Sequence, residues 1–499
     1  MFYISTRNEN VKKTAAEAIL EGIAKDGGLY MPKDLKTMKF PMEKLQSMTK
    51  IDISAKVLEL FFGGESMFPE SKDQFESFKK LVESAYVGKF YNGDDYAPVV
   101  PVSDAYVMEL YHGPTCAFKD VALQVLPRLI VEAKRTTKLE DEIVILTATS
   151  GDTGGAALEG FSDVDGVKII VFYPKNGTSI VQERQMVSCK GKNTCVVAVV
   201  GNFDDAQSGV KKIFADLKLP DGVQLSSANS INIGRLAPQV AYYFKSYSDL
   251  LNKKVIKFGD KVNFIVPTGN FGDILAGYFA KKMGLPVGKL VCASNENKVL
   301  TDFFETGTYN KNRAFHLTKS PSMDILISSN LERLLYLVCG PEKCASYMKQ
   351  LSERGEYTIS KEELEKIKET FDAGYCADKE SLNTIKEVFE KDGYLMDTHT
   401  AVAWNVYEKW INKAKDKNVC VVLSTASAYK FSSSVMGALG KTFDTEFDAI
   451  EKLHQIAKVD IPYGLKDIEN RKVVHNNVLN KEDMQKFVSE MVNKKEWIK

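Results

Sequence analysis

Lys119 lies in the stretch "HGPTCAFKD", residues 112–120, directly after Cys116, Ala117 and Phe118 and behind a Gly113-Pro114 turn. A lysine ammonium is strongly hydrated and belongs on a wet surface, so one set among small and aromatic residues is held where its proton affinity can fall. Such an amine does Schiff-base or general-base chemistry. Cys116 is a candidate reactive thiol, against which stands the plainer reading of an inert buried cysteine. His112 either touches a ligand of this turn or steadies the turn itself.

Three further loops join an apolar run to a helix through small residues: Ser150-Gly151-Asp152-Thr153-Gly154, Gly269-Asn270-Phe271-Gly272-Asp273 and Ser424-Thr425-Ala426-Ser427. The start of a helix offers unpaired N–H groups and a positive dipole end, which suits phosphate or carboxylate. Glycine lets backbone approach the anion and hydroxyls add donors. Any one of these loops alone could be a packing device. Three of them beside an unusual lysine predict a site for more than one anionic group. A fourth stretch, "SSANSINIGRLAPQ" at 226–239, gathers Asn229, Ser230, Asn232 and Arg235, donors able to fork around a phosphate. Taken alone it reads more readily as an Asn/Ser-rich turn that caps the next helix. Two nucleotide signatures are missing: Gly269-Asn270-Phe271-Gly272 lacks the order of a dinucleotide loop, and "GALGKTF" has Val435 where a Walker loop needs its first glycine.

The elements that must carry these loops are legible behind them. "DEIVILTAT", "VKIIVFYP", "TCVVAVV", "KVNFIVPT", "KLVCAS" and "NVCVVLST" are short β-branched runs followed by helical segments, which predicts parallel sheets covered on both faces. Ligands of such sheets bind at the carboxyl ends of the strands, where the small-residue loops fall. The first ninety or so residues read as mainly helical, with "TAAEAILEGIAKDGGLYMP" running as a helix to a Gly-Gly stop. "YNGDDYAPVVPV" is the expected boundary, giving an N-terminal region over 1–95 and a catalytic region over 96–499. Between about 300 and 400 the chain reads as a helical insertion, with "SKEELEKIKETFDAGY" as its amphipathic example.

With 499 residues the chain can hold several domains, and its 66 basic and 66 acidic residues leave no net field to draw nucleic acid or an anionic membrane. No stretch has signal-peptide or membrane-spanning character, so a cytoplasmic protein is expected. The cysteines form no CxxC pair and the five histidines are dispersed, so no metal site is expected; Cys195, Cys292 and Cys420 lie in apolar runs and read as buried thiols.

These motifs, in order, resemble the threonine synthase family of pyridoxal 5'-phosphate (PLP) enzymes in its long bacterial and fungal form. The resemblance rests on "EAILEGIAKDGGLYMP", "ELYHGPTCAFKDVALQ", "TATSGDTGGAAL", "NSINIGRLAPQVAYYF", "VPTGNFGDILAGYFAKKMGLP", "SPSMDILISSNLERLLY" and "DTHTAVAW", from about residue 15 to 440. It implies an α/β fold of type II, like tryptophan synthase β, with two parallel-sheet lobes. It implies that Lys119 carries PLP and does the proton chemistry. Gly269, Asn270, Phe271 and Gly272, with Asp273 beside them, match the cofactor-phosphate cradle. Asp152 matches a contact to the cofactor 3'-oxygen, and Thr425 the hydroxyl facing the pyridine nitrogen. Ser150 and Thr153 match the holders of the substrate carboxylate, and Asn229, Ser230 and Arg235 those of the substrate phosphate. The implied substrate is O-phospho-L-homoserine, converted with water to L-threonine and phosphate by a monomer or homodimer. Another PLP lyase of this fold and a non-catalytic relative stand as alternatives. The family commonly reads T-A-H-P-A-K-F where this chain has Thr425-Ala426-Ser427-Ala428-Tyr429-Lys430-Phe431, which puts substrate fit at that corner in question.

Overall fold

A computed structural model describes residues 2–494 and residue 497. Two sheets organise it. One has five parallel strands in the spatial order Asn477–Asn480, Thr194–Val200, Val167–Pro174, Glu142–Ala148 and Val223–Ser226. The other has six, in the order Phe371–Tyr375, Val287–Ser294, Val262–Pro267, Val419–Ser424, Ala105–Glu109 and Val99–Val102, with the last pair alone antiparallel.

The alternation of strand side chains explains why both sheets are covered on both sides. Ile143, Ile145, Ile169 and Val171 pack into a large inner core, and Val144, Leu146, Ile170 and Phe172 into an outer one. In the six-stranded sheet Phe264, Leu290 and Val421 join the inner core, and Ile265, Val291 and Val422 a second outer core. The inner core also takes Tyr3, Ile19, Phe61 and Phe78, so the N-terminal region closes over the inner faces of both sheets. Among the described residues no helix is long and apolar enough to cross a membrane.

The structure refines the sequence reading at three places. Residues Tyr3–Ser5, Asn8–Lys13 and Tyr30–Pro32 form a small antiparallel sheet in the region read as helical. The first helix, Ala15–Glu21, starts on a Thr14–Glu17 capping box and stops at Gly22, whose φ of 72° takes the chain out of the helix well before the Gly27-Gly28 pair. The segment near 300–400 is not all helical: the helix Lys361–Lys368 ends, and "FDAGY" becomes the edge strand Phe371–Tyr375 of the six-stranded sheet. Cys195, Cys292 and Cys420 are buried, as expected.

Candidate active site

Each small-residue loop leaves the carboxyl end of a strand, and all of them meet in one cavity of about 960 Å³. Lys119 enters it from the turn after Ala105–Glu109. Asp120 braces that turn, accepting the Thr115 N–H at 2.9 Å and the Thr115 hydroxyl at 2.6 Å. The Phe118 N–H donates to the Thr425 carbonyl at 2.8 Å and the Ser427 N–H to the Cys116 carbonyl at 3.1 Å. The turn is thereby fixed to the loop after Val419–Ser424, and Lys119 becomes the first residue of the helix Lys119–Thr137.

Burial and charge then set the lysine's chemistry. Lys119 is 9% exposed, and its Nζ lies 3.5 Å from Asp152 Oδ2 and 4.4 Å from the centre of the Phe118 ring. Burial lowers the proton affinity of the amine; Asp152 opposes this, while Arg235 and Lys430 add to it. Asp152 opens the helix Asp152–Phe161, and its Oδ1 receives Lys430 Nζ at 2.7 Å and Gln182 Nε2 at 2.8 Å. Burial by itself would raise the Asp152 carboxyl, but Lys430 and then Lys119 outweigh it and hold the group well below the usual carboxylate range.

Two anion cradles adjoin in the same cavity. At the first, Gly269–Phe271 lead into the helix Gly272–Lys282, with Phe271 at a φ of 62°. A methyl group on Gly269 would stand 2.7 Å from the Ser322 carbonyl oxygen, so only glycine fits there. Asp273 Oδ1 accepts the Tyr243 hydroxyl at 3.0 Å, while Oδ2 is buried with no partner among the described residues. Burial pushes the Asp273 carboxyl up to about 7, against the pull of Tyr243 and Lys119. At the second cradle Arg235 is 3% exposed and gives Nη1 to the Ala228 carbonyl at 2.9 Å. Its Nε and the neighbouring Asn229 Oδ1 are buried without partners among the described residues. Burial lowers the guanidinium to about 10, which still leaves it charged at neutral pH.

Asn330 ties the cradles together, donating to Ser230 Oγ and to the Asn270 carbonyl at 3.0 Å each. Arg333, fully buried, extends the tie to the N-terminal sheet through the Ile231 carbonyl at 2.6 Å and the Tyr30 carbonyl at 3.1 Å.

The cavity wall includes every site residue expected from the sequence: Lys119, Ser150, Asp152, Thr153, Asn229, Ser230, Arg235, Gly269, Asn270, Phe271, Gly272, Asp273 and Thr425. Sequence reasoning gave no role to Gln182, Ser322 or His399, and read Lys430 only as a position that the family pattern keeps. His399 Nε2 accepts the Ser322 N–H at 3.1 Å, so its proton sits on Nδ1, facing Asp397 Oδ1 at 2.8 Å. The motif "DTHTAVAW" held that signal, but no role was read from it. His112 lies outside the cavity, with Nε2 2.8 Å from Glu109 Oε2, and steadies the turn. Ser427, Ala428 and Tyr429, where the chain departs from the family pattern, line a separate hollow with Tyr91 and Pro462 and not the main cavity.

Comparison with known proteins decides the family. Residues 100–425 match the model described as pyridoxal-phosphate dependent enzyme, residues 2–86 that of the threonine synthase N terminus, and residues 400–488 that of the threonine synthase C-terminal region. The chain belongs to the threonine synthase family. It is 35% identical to the threonine synthase of Schizosaccharomyces pombe over 477 residues, covering 89% of this chain and 91% of that one. Threonine synthase-like 1 of Macaca fascicularis is 38% identical over 449 residues, which are 86% of this chain but only 58% of that longer protein. The crystal structure of PLP-bound threonine synthase from Brucella melitensis superposes with a TM-score of 0.85 at 38% identity, covering 99% of this chain and 98% of that one. The chain spans about 60% of the length of the first relatives it matches; residues 100–425 match the pyridoxal-phosphate dependent enzyme model, and the residues present fit that cofactor. An amine of lowered proton affinity stands beside a glycine cradle at a helix start. Asp273 can be neutral near an anion, and buried polar atoms at both cradles await a partner.

Proposed function

We propose that the chain converts O-phospho-L-homoserine and water to L-threonine and phosphate. The observation that carries this reading is the pair of anion cradles around one lysine: a phosphorylated cofactor needs one and a phosphorylated substrate the other. In this reading Lys119 and the Gly269–Asp273 loop hold PLP, with Asp152 and Thr425 at its ring, and bound PLP supplies an electron sink for charge developing next to the amino group. Arg235, Asn229 and Ser230 hold the substrate phosphate, and Ser150 and Thr153 its carboxylate. The buried guanidinium selects the phosphate ester and stabilises the charge that leaves with it.

Lys119 Nζ, once free of the cofactor, takes the α-proton and then a β-proton of the substrate; its lowered proton affinity favours that role. The same amine returns a proton after water has added at the β-carbon. Thr425 would present a neutral hydroxyl to the ring of bound PLP, a partner that does not favour protonating the ring and so disfavours transamination. A cytoplasmic setting belongs to this reading, supported by eight cysteines that are all unpaired.

The test is to incubate purified protein with O-phospho-L-homoserine and follow phosphate and threonine together, with Lys119→Ala alongside. Equal release of both, lost in the variant, is the expected result. Phosphate without threonine would instead make the protein a lyase that releases a keto acid, and no phosphate from PLP-loaded protein would refute the substrate.

A further inference from the structure

Behind the cleft wall, on the far side of Asp152, lies another lysine, buried more deeply than the first: Lys430 is 1% exposed and Lys119 9%. A buried ammonium is costly unless it is paired and hydrogen-bonded, and Lys430 is both. Its Nζ lies 2.7 Å from Asp152 Oδ1 and donates to the Thr115 carbonyl at 2.8 Å. Gln182 donates to the same carboxylate oxygen at 2.8 Å. The other oxygen, Oδ2, is left for Lys119 Nζ at 3.5 Å and the Ser322 hydroxyl at 3.4 Å. One carboxylate is thus shared unequally between two lysines, with the charge-assisted hydrogen bond on the side of Lys430 and only a longer contact on the side of Lys119.

We propose that Lys430 is a positioning residue for Lys119: by occupying the Asp152 carboxylate it keeps that group from locking the Lys119 amine into an ion pair, while holding Oδ2 turned toward it. The inference rests on the reading of Lys119 as the PLP lysine. The chemical reason is that an amine held as one half of a tight ion pair stays protonated and can neither bond to a carbonyl carbon nor accept a proton. A carboxylate is needed in this part of the cleft to steady the amine, yet alone it would hold it too firmly. A second fixed cation divides its pull. The directions of the shifts agree: Lys430 is among the charges that lower the Lys119 amine, and it is the largest of the charges that lower Asp152.

The competing account is mechanical. Lys430 also carries the Thr115 carbonyl and could serve only to brace the turn. Charge and bracing separate by substitution. Lys430→Arg keeps the charge, Lys430→Gln keeps a hydrogen-bond donor without it, and Lys430→Met keeps neither. The other titratable groups facing this pair are Arg235 and Asp273 toward Lys119, His399 toward Asp152, and Asp120 and Cys116 toward Lys430; all are the same in the three variants.

The readout is the pH midpoint of the visible absorption band of the PLP-loaded protein, measured with PLP content per chain and with Lys119→Ala as reference. The expected result is a midpoint raised by ~1–2 units in both Gln and Met variants and little moved in Arg. A Gln variant that titrates like the parent overturns the inference, as does an equal shift in all three. If the Met variant does not fold, the Gln and Arg pair carries the comparison. If Lys119→Ala keeps the band unchanged, it is the assignment of Lys119 that fails and not the role of Lys430.

Discussion

Gly160 sits where the helices that begin at Lys119 and Asp152 touch, and adding one methyl group there should displace these two proposed site residues without altering either of them. It belongs to the helix Asp152–Phe161 and backs onto the helix Lys119–Thr137. A Cβ at Gly160 would lie 2.0 Å from the Leu123 carbonyl oxygen and 2.8 Å from its carbonyl carbon. That carbonyl is accessible because the residue four positions on is Pro127, which has no N–H to offer it. Backbone cannot rotate away as a side chain can, so Gly160→Ala must separate the helices by about 1 Å. Overpacking of this kind costs about 1–3 kcal/mol, and the helix propensity of alanine returns somewhat under 1, leaving a net loss of up to about 2 kcal/mol. Lys119 and Asp152 begin these two helices, so the 3.5 Å contact between them opens as well. A displacement near 1 Å at reacting groups lowers rate by about 100-fold. Gly155→Ala on the same helix is the control, since its Cβ would meet nothing closer than Gln185 atoms at 3.9 Å. It should stabilise the helix slightly. Urea midpoints and kcat/KM for O-phospho-L-homoserine, measured on both variants, decide the matter. If Gly160→Ala matches Gly155→Ala in both, the reasoning about this contact is wrong.

Arg235→Met should raise KM for O-phospho-L-homoserine by about 10- to 100-fold, the loss of one charged hydrogen-bonding partner, while PLP content per chain stays constant. An unchanged KM would point to an unphosphorylated substrate. Asp120 sets a pH dependence of stability: burial raises its carboxyl to about 6 in the folded chain, against the unhindered value when unfolded. A raised carboxyl contributes its stability fully at pH values below the unfolded pKa and loses it as pH climbs through the folded one. Stability should therefore fall by about 3 kcal/mol between roughly pH 4 and 6. Asp120→Asn can keep accepting the Thr115 N–H while the Thr115 hydroxyl turns to accept from the new amide, so it should flatten that slope; urea midpoints across the range are the check.

What could be read beforehand follows from where the information sits. The parallel strands were legible nearly to the residue: Val167–Pro174 and Thr194–Val200 coincide with their apolar runs, because a strand buried on both faces must be apolar throughout. The strand Tyr3–Ser5 was not, since three residues carry no period. "FDAGY" followed an amphipathic helix without a break in composition and was absorbed into it, although its strand pairing comes from Val287–Ser294, far along the chain.

The site divides in the same way. Loops that make a cradle with their own backbone announce themselves through glycine and hydroxyl residues at a strand end. Lys430 meets Asp152 and the Thr115 carbonyl, the latter a bond spanning 315 positions; the family pattern keeps a lysine there, but nothing local tells what it touches. The departure from the family pattern shows the converse error, in which sequence adjacency exaggerates a local change. Thr425 lies on the cavity wall, but the chain then turns into the short helical segment Ala428–Phe431. That turn sends Ser427, Ala428 and Tyr429 to the other side of the catalytic turn, where the Tyr429 hydroxyl bonds the Val459 carbonyl, and brings Lys430 back to Asp152. Seven adjacent residues therefore serve two separate spaces. The three that differ from the family line the hollow outside the main cavity, so none of them forms the wall that carries Lys119 and the two proposed cradles.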